Sequence, residues 1–207
     1  TATLNKAVQD GFKVAYTTTG GTAIAGVDFT DNDGNLTFVG TIGETQSWTV
    51  DVNGDNTVEL GETFEGALGA ITMTSAVQTA AISVSGSPKT DIITNDDAAT
   101  VSIAADVSQS ENLTPQAFSV TLSNPVDVPV SVQFNTTNGT ATTGDNDYTG
   151  IVNQTVTFPA NTTTAQTVNV AIGNDNKVEN NETYTVGIGT LSASGRNVSL
   201  GTSSRTG

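Results

Sequence analysis

The chain has 207 residues, and its 6 basic and 21 acidic side chains give a formal charge of −15. It contains no cysteine and no histidine, which excludes disulfides, thiolate or imidazole metal sites, and Ser/His or Cys/His nucleophiles. The acidic balance argues against a nucleic-acid partner, and the abundant metal ligands are oxygens, which calcium prefers. No run approaches the roughly 20 apolar residues that cross a bilayer, so we expect no membrane insertion.

Apolar and polar residues alternate at period two along several segments, which predicts strands with one buried face. The alternation is found at residues 12–16, 48–52 and 128–134. No long segment has helical spacing, and turn clusters such as DNDGN and DVNGDN recur roughly every 8 to 12 residues, as in β-sandwiches. The sequence therefore predicts an all-β fold.

Two motifs occur twice in the same order. GTAIAGVDFT from Gly21 matches GTATTGDNDYT from Gly139, and GDNTVELGETFE from Gly54 matches NDNKVENNETYT from Asn174. The offsets are 118 residues, from 21 to 139, and 120 residues, from 54 to 174. This spacing is the length of a whole domain and is longer than the repeat unit of a solenoid protein. We predict two homologous domains, residues 1–97 and 98–207.

These motifs carry a resemblance to a known family. GTAxxGxDF/Y, a Thr/Val-rich strand pair, D-x3-E-x2-E-T-F/Y and a closing strand ending in IITNDD at residues 92–97 together resemble the Calx-β family. The resemblance covers nearly the whole chain. It implies two tandem immunoglobulin-like Greek-key β-sandwiches of about seven strands each, with calcium held by the loops at one end.

Alignment of the two repeats predicts that each domain lacks one terminal strand. Domain 1 starts at a segment that matches the one from Phe118, so its first strand is expected to be absent. Domain 2 stops at SSRTG, where domain 1 has SPKT followed by DIITNDD, so its last strand is expected to be absent too. Because exposed strand edges are normally covered, we expect neighbouring repeats of the same polypeptide, or neighbouring chains, as partners.

The resemblance also supplies candidate calcium ligands position by position. In domain 1 they are Asp28, Asp55, Glu59, Glu62, Asp96 and Asp97. In domain 2 they are Glu111, Asp147, Asp175, Glu179 and Glu182. The GDND stretch has one extra residue, so Asp145 competes with Asp147 for the ligand role. Carboxylates that converge without a cation would repel one another, and a divalent ion removes that penalty.

Other conspicuous residues receive ordinary structural interpretations. Asp51 and Asp127 are interpreted as solvated surface charges, and Trp48 as a core residue instead of a carbohydrate platform. The N-x-S/T matches, for instance at Asn35 and Asn138, are expected by chance in a chain rich in Asn and Thr.

Three functions were weighed against these features. The favoured function is a calcium-binding repeat of a secreted or cell-surface adhesin. In this function, calcium at Asp96 and Asp97 rigidifies the junction between the domains, and the sequence does not indicate the target of the adhesin. The alternative is a regulatory calcium sensor of a membrane transporter or signalling protein. A glycosidase with paired carboxylates is disfavoured, because the acids are better explained as ligands, and we expect no enzyme.

Overall fold

The computed structural model describes residues 1–75 and 82–207, and the regular elements of these residues are strands. The predicted all-β fold is therefore confirmed. The contacts divide the chain into two compact units, Thr1–Asp55 with Gly61–Asn95 and Asn56–Leu60 with Asp96–Gly207. In the described residues, no helix has the length and apolar character needed to span a membrane.

The described residues of the first unit, 1–55, 61–75 and 82–95, form six strands in two sheets. Their bounds are β1 Ala2–Thr3, β2 Phe12–Gly20, β3 Gly34–Phe38, β4 Thr45–Gln46, β5 Glu62–Met73 and β6 Lys89–Ile93. One antiparallel sheet has the order β3-β2-β5-β6, and β1 pairs with β4 in a second sheet of two strands. The buried core is small and consists of Leu4, Phe12, Val14, Leu36 and Phe38.

The second unit has eight strands in two sheets of four. Their bounds are β7 Ala99–Ile103, β8 Gln116–Leu122, β9 Val130–Asn138, β10 Gln154–Phe158, β11 Gln166–Val170, β12 Tyr184–Ser192, β13 Val198–Leu200 and β14 Ser204–Thr206. The sheets have the orders β10-β9-β12-β14 and β11-β8-β7-β13. Alternate residues of these strands are buried, as period-two patterning requires, and Phe118, Phe134 and Phe158 are fully buried in the core.

The segment Asn56–Leu60 belongs to the second unit through its backbone pairing. Val58 forms a parallel bridge with Val126, and its N–H donates to the carbonyl of Pro125 at 2.9 Å. Its side chain is fully buried in the core of that unit.

The repeats differ at the strands that the sequence expected to be missing. The described part of the first unit has no counterpart of β7, as predicted. The expected absence of the last strand of domain 2 needs correction, because β14 pairs with β12 over three residues where β6 pairs with β5. The last strand is therefore present in part.

The alternation at residues 48–52 predicts a strand that does not form in full. Val52 makes only an isolated bridge with Phe29. The equivalent strand of the second unit, β11, pairs with β8 over five residues, whereas in the first unit β4 finds a partner, β1, of only two residues. Trp48 nevertheless packs against the core and stacks on Tyr16, with ring centroids 4.9 Å apart, as its core interpretation predicts.

Candidate metal site

Asp28 and Asp147 adopt the same local structure in the two units. Oδ2 of Asp28 accepts the N–H of Ile24 at 2.6 Å, and Oδ2 of Asp147 accepts the N–H of Thr142 at 2.7 Å. Asp145 makes no such bond in the structure; its own N–H donates to the Thr142 hydroxyl. Asp147 is therefore the structural counterpart of Asp28, and the choice between Asp145 and Asp147 as a ligand stays a prediction.

An aromatic pair lies directly behind each of these aspartates. Phe29, which follows Asp28, stacks on Phe64 with ring centroids 5.2 Å apart. Tyr148, which follows Asp147, stacks on Tyr184 with centroids 4.3 Å apart. Stacked pairs contribute about 0.5–1.5 kcal/mol beyond their buried area. Because each second ring lies two residues after a glutamate, the stack brings the aspartate turn next to the start of the glutamate's strand.

A hydrogen bond from the GTA motif fixes the same approach. The hydroxyl of Thr22 accepts the N–H of Thr63 at 2.8 Å, and the hydroxyl of Thr140 accepts the N–H of Thr183 at 2.8 Å. We call these two bonds the threonine bridges. Each one holds the residue that immediately follows a predicted ligand, Glu62 or Glu182 respectively. The two recurring motifs therefore meet in space in both units.

This arrangement places acidic side chains together. In the first unit, Asp28 and Glu62 each offer a carboxylate oxygen, and these atoms lie within 4.8 Å of one another. In the second unit, oxygens of Asp147, Glu179 and Glu182 all lie within 4.8 Å of one another, and we call these three residues the Glu182 group.

A second set of acids adjoins the Glu182 group. Oxygens of Glu111, Asp175 and Glu179 also lie within 4.8 Å of one another, and these residues form the Glu111 group. Glu179 belongs to both groups. All five acids that the sequence predicts as ligands in domain 2 are thus brought together at one end of the second unit, beside a solvent-open cleft of about 930 Å³. Their role as metal ligands stays a prediction.

The electrostatics of the second unit follow from this crowding. Desolvation raises the pKa of Glu182, and the charges of Asp147 and Glu179 raise it further. The ammonium of Lys177 lies 3.6 Å from Oε1 of Glu179 and 3.7 Å from Oδ2 of Asp175. The charges of Glu179 and Asp175 raise the pKa of Lys177, in that order. The crowded carboxylates therefore favour the binding of a positive charge, and Lys177 supplies one beside Glu179 and Asp175.

Hydrogen bonds connect polar groups that line the cleft. The buried Tyr184 hydroxyl donates to Oε1 of Gln116, and Nε2 of Gln116 donates to the carbonyl of Val107 at 2.9 Å. Burial raises the pKa of Tyr184, so its hydroxyl stays protonated as a donor. Because these polar groups are paired internally, the acids at the mouth remain the ones available to a ligand.

Three predicted ligands of domain 1 lie outside the close acidic groups, and a fourth belongs by its contacts to the second unit. Asp55, Asp96 and Asp97 join none of the close acidic groups found in the described residues. Glu59 lies in Asn56–Leu60, the segment that belongs to the second unit. The ligand roles of these four residues therefore stay predictions that the family resemblance implies.

The interpretation of Asp127 as a solvated surface charge is wrong. Its Oδ1 accepts Nε–H of Arg196 at 2.8 Å, and its Oδ2 accepts from the second arm of the same guanidinium. The Arg196 side chain is only 14% exposed, and the bond raises the pKa of Arg196. Asp127 therefore forms a bidentate structural pair, and its replacement cannot serve as a neutral control.

Lys177 was not predicted as a site residue, although the alignment of the two repeats shows a lysine among the predicted acidic ligands. GDNTVE in the first repeat aligns with NDNKVE in the second, so Thr57 occupies the position of Lys177. A basic residue inside a predicted acidic site is the pattern that could have revealed it.

Comparison with known proteins identifies the family. The sequence model of the Calx-beta domain matches residues 2–98 and 94–206, so the chain belongs to the Calx-beta domain family in two tandem copies. No curated protein matches the chain.

Solved structures of low identity are similar. The calcium binding domain CBD12 of CALX1.1 is 19% identical over 96% of this chain and 87% of that chain, with a TM-score of 0.46. CBD12 from CALX1.2 is 20% identical over 99% and 89%, with a TM-score of 0.47. The apo-form Calx CBD1 domain is 18% identical over 53% and 96%, with a TM-score of 0.47.

The GTA glycine provides a test of the close approach at the threonine bridge. A Cβ on Gly139 would lie 2.4 Å from the backbone oxygen of Thr183, whereas a Cβ on Gly189 would meet no heavy atom within 4 Å. We expect Gly139→Ala to cost about 1–3 kcal/mol of unfolding free energy and Gly189→Ala to stay within about 0.5 kcal/mol.

Urea denaturation followed by circular dichroism measures both variants. Fluorescence of Trp48, which is in the first unit, supplies an internal reference because both substitutions are in the second. Equal losses in the two variants would show that the backbone approach at Gly139 is not tight.

Proposed function

We propose that this chain is a calcium-binding structural module. The observation that carries the proposal is the repeated placement of an aspartate and a glutamate at the same junction of a turn and a strand, by the same stack and the same threonine bridge. Membership of the Calx-beta domain family supports it. So do the similar solved structures that are named as calcium binding domains.

The donor chemistry fits calcium. The candidate ligands are carboxylate oxygens, the chain has no histidine or cysteine, and calcium takes six to eight oxygen ligands. In the second unit Asp147, Glu179 and Glu182 would hold the ion, and in the first unit Asp28 and Glu62 would hold it. A bound ion would supply the positive charge that relieves carboxylate repulsion, and no catalytic step is proposed.

We further propose that the module is a strut of a secreted or cell-surface adhesin. Gly54 and Asn174 occupy positions where calcium-sensing members are expected to carry another Asp, so the ligand sets are thin. Thin sets favour weak binding, and extracellular calcium modules bind at about 10⁻⁴ to 10⁻³ M, whereas sensors bind at about 10⁻⁷ to 10⁻⁵ M. The alternative, a regulatory sensor of a transporter or signalling protein, requires the tighter range.

Calcium should raise the melting temperature of the chain, because an ion that binds only the folded state stabilises it by about 2.7 kcal/mol at a hundredfold excess over Kd. Melting curves across a calcium series, starting from chelator, measure the effect. We expect the rise to begin near millimolar calcium.

Matched variants locate that effect. Glu62→Gln and Glu182→Gln should each reduce the rise, because each removes a ligand charge. Glu65→Gln makes the same chemical change three residues after Glu62, at an exposed position of β5, and should leave the rise intact. A midpoint that does not respond to calcium would refute the calcium function, and a rise at micromolar calcium would favour the sensor over the strut.

The junction hypothesis rests on sequence. Only residues 94–98 connect β6 to β7, and the stretch NDDAAT at residues 95–100 contains no Gly and no Pro, which leaves little room for a flexible linker. If calcium pins Asp96 and Asp97, small-angle scattering should give a longer maximum dimension in calcium than in chelator. Asp96→Asn combined with Asp97→Asn should abolish the difference. A dimension that ignores calcium, or a double variant that still responds, would refute the strut mechanism even if calcium binds.

A further inference from the structure

The two acidic groups of the second unit are not equivalent, although they share Glu179. Lys177 contacts Asp175 and Glu179, two of the three members of the Glu111 group. No ion pair of the described residues involves Asp147 or Glu182. The positive charge is therefore placed on one side of the shared glutamate.

We propose that Lys177 is a built-in cation of the Glu111 group and limits the second unit to calcium at the Glu182 group. This inference rests on the calcium-binding function proposed above. Lys177 then determines how many ions the unit takes and where the ion lies.

The physical reason is competition for the same oxygens. An ammonium within 4 Å of two carboxylates neutralises part of the charge that would attract a divalent ion, and it occupies space between their oxygens. Glu179 contacts Lys177 and also offers an oxygen within 4.8 Å of oxygens of Asp147 and Glu182.

The repeat shows that the lysine is not required by the fold. The first repeat has Thr57 at the aligned position, within the otherwise matching stretch D-N-x-V-E. Lys177 is half exposed, with 53% of its side chain accessible, so its replacement leaves no cavity. A change at this position therefore alters the site and not the core.

Counting bound calcium tests the proposal. Equilibrium dialysis of the full chain against saturating calcium, followed by metal analysis, gives the ions bound per chain. We expect Lys177→Gln to bind about one ion more than the wild type. Lys13→Gln, which removes the same charge at an exposed position of β2 in the first unit, should bind the wild-type number.

Glu111→Gln identifies where the added ion lies. Introduced into the wild type it should leave the number of ions unchanged, and introduced into Lys177→Gln it should remove the added ion. If wild type and Lys177→Gln bind the same number, calcium displaces the ammonium and the proposal is wrong. It is also wrong if Glu111→Gln lowers the number in the wild type. A wild-type chain that binds no calcium would instead refute the proposed function itself.

Discussion

Each unit forces two carboxylates together at the point where a turn meets the beginning of a strand. A stacked aromatic pair holds the aspartate turn next to the glutamate strand, and a threonine hydroxyl fixes the backbone beside the glutamate. The stack buries apolar surface, and the threonine bridge is a hydrogen bond between a hydroxyl and a backbone N–H. Neither contact depends on the charges of the carboxylates that it positions. The carboxylates of Asp147 and Glu182 thus remain close despite their mutual repulsion, and the pKa of Glu182 is raised by desolvation first and by the charge of Asp147 second.

Because the carboxylates repel one another, a bound cation would stabilise the site. In water, acids on flexible loops would move apart, but here the loop and the strand are held by a common frame in both repeats. The free energy stored as repulsion is released when a cation binds, which couples ion binding to stability. Lys177 already supplies a positive charge to Asp175 and Glu179, whereas under our proposal the acids around Asp147 and Glu182 take an ion from solution.

The repeated motifs predicted the fold and the approach of Asp28 to Glu62, because motif residues set both strand pairing and local turns. Contacts between other residues that are far apart in the sequence could not be predicted from it. Asp127 lies 69 residues from Arg196, and nothing near either residue in sequence indicates their pairing. Identifying Asp147 as the structural counterpart of Asp28 needed the turn geometry, since one inserted residue leaves the alignment ambiguous. The strand expected at 48–52 does not form in full. Alternation of apolar and polar residues indicates which side chains are buried, but it does not indicate whether a partner strand is present.

The central claim is that calcium binds where the aspartate turn meets the glutamate strand, and a calcium titration followed by amide NMR tests it most directly. The account predicts that the largest shifts occur at amides bonded into this junction, those of Thr142 and Thr183 in the second unit and of Ile24 and Thr63 in the first. Amides of β10 and β3 should move little. Shifts that spare the junction amides, or that spread evenly along the strands, would contradict the account.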